Sequence, residues 1–330
     1  MGASESSMPR IGFVVIGRNE GERLVRALQS LGSSLSNVVY VDSNSSDGSL
    51  ERARAMGSMV VALDMTKPFS AARARNAGFS TLLAHDSAIE FVQFMDGDCE
   101  LDGAWISAAR SFLRTNENVA VVCGRRREKF PEHSTYNRLC DIEWDTPIGQ
   151  TQECGGDFLV RVSAFQAVSG FSEQMIAGEE PELCARLRAA GWTIWRLDAD
   201  MTWHDANMTA FRQWWRRSVR CGYSYAALFA LHGRGPDRLR RRQVISAVLW
   251  GAVIPIAILV GTLVWLPAIA LLALYPLQAV RIGARSAQKG WNRFVYGSSI
   301  MIAKFSELVG MVKFWGDRVR GRAGLLIEYK

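Results

Sequence analysis

Short hydrophobic runs alternate with amphipathic stretches over residues 1–125. The hydrophobic runs cover residues 11–16, 38–41, 58–63, 90–95 and 119–123, and helical patterns fall near residues 20–31, 71–83 and 105–114. Strands that are apolar at every position are covered on both faces, and strands that alternate with helices pair in parallel. The pattern therefore predicts an α/β domain with a mostly parallel sheet and helices on both faces.

The pattern is less regular between residues 124 and 205. It contains a helical stretch at residues 182–190 and a short strand at 192–197, and a helix rich in Trp and Arg follows at 211–220. Ligands of parallel sheets bind beyond the carboxyl ends of the strands. We therefore expect the chemistry in the polar loops that follow the strands.

A run of 38 residues without a charge extends from Gln243 to Val280, and arginines flank it on both sides. About 20 apolar residues span the hydrocarbon core of a bilayer, so the run predicts a membrane-embedded segment. Because positive flanks tend to stay cytoplasmic, we expect a hairpin that turns near Gly261-Thr262. Pro255, Pro267 and Pro276 kink its arms, which leaves a re-entrant hairpin open as well.

The segment after the hairpin is amphipathic. Apolar residues recur there at spacings of four and three, namely Met301, Phe305, Leu308, Val312 and Trp315. This spacing predicts a helix in the membrane interface over about residues 294–315. A helix packed on the catalytic domain and a third span are the alternatives. The predicted domains are thus a catalytic domain at 1–225 and a membrane region at 226–330.

Charge is distributed unevenly along the chain, which carries a formal net charge of +7. From residue 212 onward there are 19 Lys and Arg against 4 Asp and Glu, whereas residues 1–211 carry 20 against 28. A basic half predicts a polyanionic partner, either nucleic acid or an anionic membrane. The hydrophobic run favours the membrane, and without zinc-finger spacing or a helix-turn-helix pattern we expect no nucleic-acid partner.

Asp96-Gly97-Asp98 follows the apolar run at residues 90–95. In a strand, residues i and i+2 face the same side, and Mg²⁺ is held by one or two carboxylates together with substrate phosphates. The pair therefore predicts a metal and diphosphate site, with a solvated turn as the alternative. Three further polar loops, at residues 17–20, 42–47 and 73–78, are expected at strand ends. Neither the Rossmann nor the P-loop glycine pattern occurs.

The order of these motifs resembles the family 2 glycosyltransferases, which have the Rossmann-like GT-A fold. The resemblance covers about residues 10–225 and rests on segments 14–24, 39–49, 75–78, 96–98, 178–192 and 213–217. Arg18 stands where many members have an aromatic residue, Ser43 where a second Asp is common, and Arg217 where processive members have Trp. The resemblance implies an inverting transfer of sugar from a nucleoside-diphosphate sugar, expected to be a UDP-sugar.

The resemblance also implies roles for individual residues. Asp98 and Asp96 hold Mg²⁺ or Mn²⁺, and His204 completes the metal shell. Glu180 is the first choice for the catalytic base, followed by Glu179 and then Glu182. The remaining residues that it implies around the donor are Asn19, Glu20, Asp42, Arg75, Asp96, Arg216 and Arg217.

A sugar-nucleotide enzyme that is anchored in this way is expected to act on a lipid-linked or polysaccharide acceptor. Similar relatives imply exopolysaccharide or cell-envelope synthesis at the inner membrane, with the catalytic domain on the cytoplasmic side. Two alternatives stay open. A nucleotidyltransferase would need neither the Glu179-Glu180 segment nor the hairpin, and a catalytically silent scaffold would have no reason to keep Asp98 and Glu180.

Overall fold

The computed structural model describes residues 10–235 and 237–321. The ends of both predicted domains, residues 1–9 and 322–330, lie outside this range. The chain divides into two compact units. The first comprises residues up to 131 together with 140–206, and the second comprises 132–139 together with the residues from 207 onward.

The first unit contains the sheet and the helices that cover it. Its strands are β1 (Arg10–Gly17), β2 (Val38–Asp42), β3 (Met59–Ala62), β4 (Ile89–Asp96), β5 (Cys99–Leu101), β6 (Val119–Glu128), β7 (Gly149–Gln150), β8 (Phe158–Arg161) and β9 (Thr193–His204). Its helices are α1 (Glu22–Ser30), α2 (Ser49–Ala55), α3 (Ala71–His85), α4 (Trp105–Thr115), the second half of α5 (Thr135–Trp144), α6 (Val162–Ala167) and α7 (Glu179–Ala189). A short 3-10 helix lies between α1 and β2, at Gly32–Asn37.

The strands form one mixed sheet in the order β3-β2-β1-β4-β8-β6-β9-β5, with β7 paired to β9. The four strands β3, β2, β1 and β4 are mutually parallel, and β6 is parallel to β9. The predicted α/β class is therefore confirmed, and each strand that we predicted from a hydrophobic run is present. Parallel pairing places the carboxyl ends of β1, β2 and β4 at one edge.

The antiparallel strand β8 lies in the middle of the sheet, between β4 and β6, in a segment where the sequence pattern predicted no strand. Phe158, Leu159 and Val160 are fully buried there. Three consecutive apolar residues have no period, so the sequence alone does not distinguish a strand from a buried turn of helix. The pairing with β4 and β6 decides its conformation.

Helix α3 packs closely on β1 and β2 because of one glycine. A Cβ atom at Gly78 would lie 2.4 Å from Val14 Cγ1 and 2.9 Å from Val41 Cγ2. Any residue with a side chain at position 78 would therefore hold the helix farther from the sheet. This contact fixes the first turns of α3, which carry Arg75, against the end of the parallel strands.

The second unit is helical. It contains α8 (Phe211–His232), α9 (Arg241–Val248), α10 (Ile254–Val264), α11 (Leu274–Arg285) and α12 (Trp291–Val319), with a π-helical turn at Leu249–Val253 and a 3-10 helix at Leu266–Ala273. Residue 225, the predicted domain boundary, lies inside α8.

Helices α8 and α12 approach each other closely at a small residue. A Cβ atom at Gly310 would lie 2.0 Å from the carbonyl oxygen of Val219. Close contacts at small residues are typical of membrane helices.

Three helical stretches of the described chain are long and apolar enough to cross a membrane, namely Arg241–Val264, Leu266–Arg285 and Trp291–Val319. The first two are separated at Trp265, a few residues beyond the expected turn at Gly261-Thr262. The apolar side chains around this break are exposed, and Val264 reaches 86%. On α12, Phe305, Val312 and Trp315 of the predicted apolar stripe are exposed, whereas Met301 is buried.

Candidate active site

The loops after β1, β2 and β4 meet at one edge of the sheet. Ile16 pairs with Asp96 and Gly17 pairs with Asp42. The N–H of Gly97 donates to the carbonyl oxygen of Ile16 at 2.8 Å, and the N–H of Ser43 donates to the carbonyl oxygen of Gly17 at 3.0 Å. The structure thus brings together the polar loops at residues 17–20, 42–47 and 96–98, whereas residues 73–78, which we expected as a further loop at a strand end, lie inside α3.

Asn19 and Asp42 brace the loop at residues 43–47. The N–H of Asn19, which has a left-handed φ of 56°, donates to Ser45 Oγ, and its Oδ1 accepts from the N–H of Ser46. Asp42 is buried and accepts from the hydroxyl of Tyr40 and the N–H of Ser45. Glu20 forms an ion pair with Arg23 at 2.8 Å. These side chains shape the loop in which we expected the nucleotide.

Arg75 is buried and joins two of the predicted site carboxylates. Its Nη2 donates to Asp96 Oδ1 at 2.7 Å and its Nη1 to Glu179 Oε1 at 2.8 Å. Burial alone would lower the pKa of this guanidinium, but Asp96 and Glu179 outweigh that effect and raise the pKa. Arg75 therefore stays charged and links β4 to the start of α7.

Asp157 and Arg126 complete this network, and the sequence analysis assigned neither of them. Asp157 accepts from Arg126, from the hydroxyl of Thr202 and from the N–H of Asp96, and the second Asp96 oxygen accepts from Arg126 at 3.2 Å. A Cβ at Gly156 would lie 3.0 Å from Asp96 Oδ2, so the glycine allows the loop to approach. The signal in the sequence was Gly155-Gly156-Asp157 itself.

We expect Asp157→Ala to lower the free energy of unfolding by about 3 kcal/mol, because it leaves the largely covered Arg126, whose side chain is 16% exposed, without its principal partner. The matched control is Asp198→Ala, whose side chain is 76% exposed and pairs with Arg125 at 3.2 Å. A surface pair of this kind contributes about 0–1 kcal/mol. Urea unfolding of both variants measures the difference, and equal losses would contradict a structural role for Asp157.

Asp98 and His204 lie side by side, both buried. Asp98 Oδ2 is 3.3 Å from His204 Nε2, and the other ring nitrogen, Nδ1, is 3.5 Å from Glu128 Oε2. Pairing of β5 with β9 sets this contact, since Cys99 is opposite His204. A carboxylate and an imidazole with a second carboxylate behind the ring form a donor set that suits a divalent cation, so these residues fit the metal that the resemblance implies.

Glu180 lies in a separate buried pocket at the beginning of α7. Its Oε1 accepts from the N–H of Cys154 at 2.6 Å, from the thiol of Cys154 at 3.1 Å and from the thiol of Cys184 at 3.0 Å. Burial and the nearby Glu153 raise the pKa of Glu180, although the three donors oppose the shift. A carboxylate with a raised pKa is suited to accept a proton near neutral pH.

The other two acidic residues of this segment have partners of their own. Glu179 is held by Arg75, and Glu182 binds Arg186 through two guanidinium nitrogens, with the shortest contact at 2.7 Å. Arg186 also donates to the carbonyl oxygens of Val168 and Gly170, so Glu182 anchors α7 to that loop. Arg216, which is exposed, and Arg217 lie on α8 in the second unit.

Comparison with known proteins agrees with these features. Residues 13–168 match the sequence model of the family described as glycosyl transferase family 2. The chain is 27% identical over 192 residues, 54% of its length, to the succinoglycan biosynthesis protein ExoA of Rhizobium meliloti, and 26% identical over 178 residues, 51% of its length, to the pre-mycofactocin glycosyltransferase of Mycobacterium tuberculosis. The matches span 58% and 36% of these relatives' own lengths.

A solved structure shares the fold. The mannosyltransferase PcManGT from Pyrobaculum calidifontis, in complex with GDP-Man and Mn²⁺, superposes with a TM-score of 0.62 at 19% identity. The alignment covers 95% of this chain and 89% of that one. The predicted fold, a GT-A type domain followed by helices long and apolar enough to span a membrane, is therefore confirmed.

Proposed function

Residues 13–168 form a family 2 glycosyltransferase domain, and from this premise we propose that the protein is an inverting, metal-dependent glycosyltransferase. It moves a sugar from a nucleoside-diphosphate sugar to a lipid-linked or polysaccharide acceptor. The observation that carries the proposal is the pairing of Asp98 with His204 at the edge where the predicted donor loops meet. Bound Mn²⁺ and GDP-Man in the mannosyltransferase of the same fold support a donor of this class.

One group of residues would bind the metal, and a second group would bind the nucleotide part of the donor. Asp98 and His204 would hold the divalent cation, and Glu128 orients the imidazole from behind. The cation, when bound, supplies positive charge against the diphosphate. Asp96, which we expected as a second metal ligand, instead accepts hydrogen bonds from Arg75 and Arg126 and is absent from the described group of ligand atoms around Asp98 and His204. The loop at residues 43–47 would receive the nucleoside.

Glu180 acts on the acceptor. The acceptor hydroxyl attacks the anomeric carbon in line with the departing diphosphate, the bond from that carbon to the diphosphate oxygen breaks, and the hydroxyl proton passes to Glu180. The hydrogen bonds that Glu180 accepts from described residues all end on Oε1, so we assign the proton to Oε2. Displacement on the face opposite the leaving group inverts the anomeric configuration.

The helices of the second unit support an acceptor at a membrane. Leu263, Val264 and Leu266 are 71–86% exposed, and Arg281 and Arg285 follow the second apolar stretch. Exposed apolar side chains of this kind are typical of a surface that contacts lipid. We propose that the hairpin is embedded in the inner membrane from the cytoplasmic side, where its arginine flanks remain.

Membrane attachment should resist salt. Charged contacts with anionic lipid are screened by ions, whereas insertion of the apolar hairpin is not. After a high-salt or carbonate wash of membranes, we therefore expect the full-length protein to stay in the pellet and to leave it only with detergent. Release by salt alone would contradict an embedded hairpin and leave electrostatic attachment by the basic residues.

Product analysis tests the reaction. Detergent-solubilised protein is supplied with Mn²⁺, a panel of UDP- and GDP-sugars and lipid extracts as acceptors, and the released nucleotide is identified. Release of a nucleoside diphosphate with a labelled lipid or polysaccharide supports the proposal. A parallel reaction contains a nucleoside triphosphate and a sugar 1-phosphate in place of the sugar nucleotide, and release of pyrophosphate there supports the nucleotidyltransferase alternative instead.

A further inference from the structure

Within the described residues, two groups of three side chains place metal-ligating atoms within 4.8 Å of one another. One group, Asp98, Cys99 and His204, belongs to the proposed donor site. The other consists of Cys154, Glu180 and Cys184. We propose that this second group is a binding site for a thiophilic divalent cation such as Zn²⁺, which blocks sugar transfer by occupying Glu180.

The three ligand atoms already have nearly the separations that zinc requires. The two sulfurs are 3.7 Å apart, and Glu180 Oε1 is 3.1 Å from Cys154 Sγ and 3.0 Å from Cys184 Sγ. A tetrahedral zinc with bonds of about 2.3 Å to sulfur and about 2.0 Å to oxygen separates its sulfurs by about 3.8 Å and sulfur from oxygen by about 3.5 Å. Binding therefore needs the carboxylate to move by only about 0.5 Å.

The protein backbone holds these ligands in place. Glu180 and Cys184 are four residues apart on α7 and so share one face of the helix, and Cys154 lies in the segment before β8. The N–H of Cys154 also donates to Glu180 Oε1, at 2.6 Å. All three side chains are buried, and a buried, preorganised set of two sulfurs and one oxygen favours a soft cation over Mg²⁺.

Binding exchanges protons for the cation. Burial raises the pKa of Cys184 to about 12 and that of Cys154 well above its ordinary value, so both groups are thiols in the metal-free protein. The two thiol protons pass to the buffer as two thiolates and one carboxylate bind the cation. Because the thiolate is the form that binds a metal, the raised pKa values oppose binding at neutral pH, and binding should strengthen as the pH rises. The charges of Glu153, Arg188 and Cys123 also influence the pKa values of these three ligands.

The site itself rests on side-chain geometry, whereas the inhibition rests on the proposed function. A cation on Oε1 withdraws negative charge from the carboxylate and so makes Oε2 a much weaker base toward the proton of the acceptor hydroxyl. Transfer should therefore stop while the donor still binds, because the Asp98 and His204 pair belongs to a different group of ligands.

An optical titration tests the site without reference to activity. Full-length protein in detergent, with a phosphine reductant and excess Mg²⁺, is titrated with Co²⁺, and thiolate-to-cobalt charge-transfer absorption is followed. We expect one equivalent to bind in the wild type, in Cys99→Ser and in the control Cys221→Ser, and the thiolate absorption to weaken in Cys154→Ser and Cys184→Ser. Circular dichroism checks that each variant is folded. No thiolate signal, or the same signal in all variants, would overturn the site.

A rate measurement tests the inhibition. Each protein is compared with its own zinc-free rate, and Cys184→Ser should need at least about 10-fold more Zn²⁺ for half-inhibition than Cys221→Ser does. Cobalt binding through both thiols with no loss of transfer on adding zinc would overturn the inhibitory role. If no condition supports transfer, the proposed function fails, and the optical titration still decides the site.

Discussion

Asp98→Ala should lower kcat/KM for sugar transfer by about 10³-fold. Asp98 and His204 form the pair of ligands that fits the divalent cation, and the loss of preorganised charge at a developing oxyanion typically costs about 10²–10³-fold in rate. Steady-state kinetics with the donor identified by the product screen measures the effect.

Nucleotide binding separates this role from simple unfolding. Mn²⁺ should strengthen binding of the nucleoside diphosphate to the wild type and to the control Asp198→Asn, but not to Asp98→Ala. Calorimetry with and without the metal gives this difference. Full transfer by the wild type in the presence of a chelator, or unchanged metal dependence in Asp98→Ala, would contradict the assignment.

Glu180→Gln should reduce turnover by about 10²–10⁴-fold with little change in donor affinity, because the amide keeps the size of the side chain but cannot take a proton. Glu179→Gln is the matched control. It weakens the contact with Arg75 and should alter donor affinity more than turnover. If Glu179→Gln gave the selective loss of turnover instead, the base would be Glu179.

The pH dependence of the wild type provides a second test of the base. Burial raises the pKa of Glu180, and only the ionised carboxylate accepts a proton. We therefore expect kcat/KM to rise with pH through a midpoint above the ordinary glutamate value of about 4.3. A midpoint at or below about 4.3 would argue against a buried carboxylate as the base.

Glu180→Gln should also change how stability depends on pH. A carboxyl with a raised folded pKa stabilises the protein below its unfolded pKa, and this contribution is lost as the pH rises through the folded value. Glutamine does not titrate. The melting temperature of Glu180→Gln relative to the wild type should therefore increase from pH 4 to pH 8 in the presence of a chelator, and a constant difference would contradict the shift.

Local sequence patterns were sufficient to predict much of the fold. The hydrophobic runs at β1, β2, β4 and β6 are short and alternate with helical patterns, which favours buried strands. The uncharged run at 243–280 is longer than ordinary soluble helices contain. The position of Asp96 and Asp98 at the end of β4 follows from the same pattern. These features depend on residues close together in the chain, so the sequence by itself determined them.

The tertiary structure decided which side chains act together. Asp98 and His204 are adjacent because β5 pairs with β9, and Asp157 reaches Arg126 because β8 enters the sheet beside β6. The pocket of Glu180 likewise depends on Cys154, which is 26 residues away in the chain. Such contacts join residues of distant segments, and no local period encodes them. They form only when strand pairing and helix packing bring those segments into hydrogen-bonding distance.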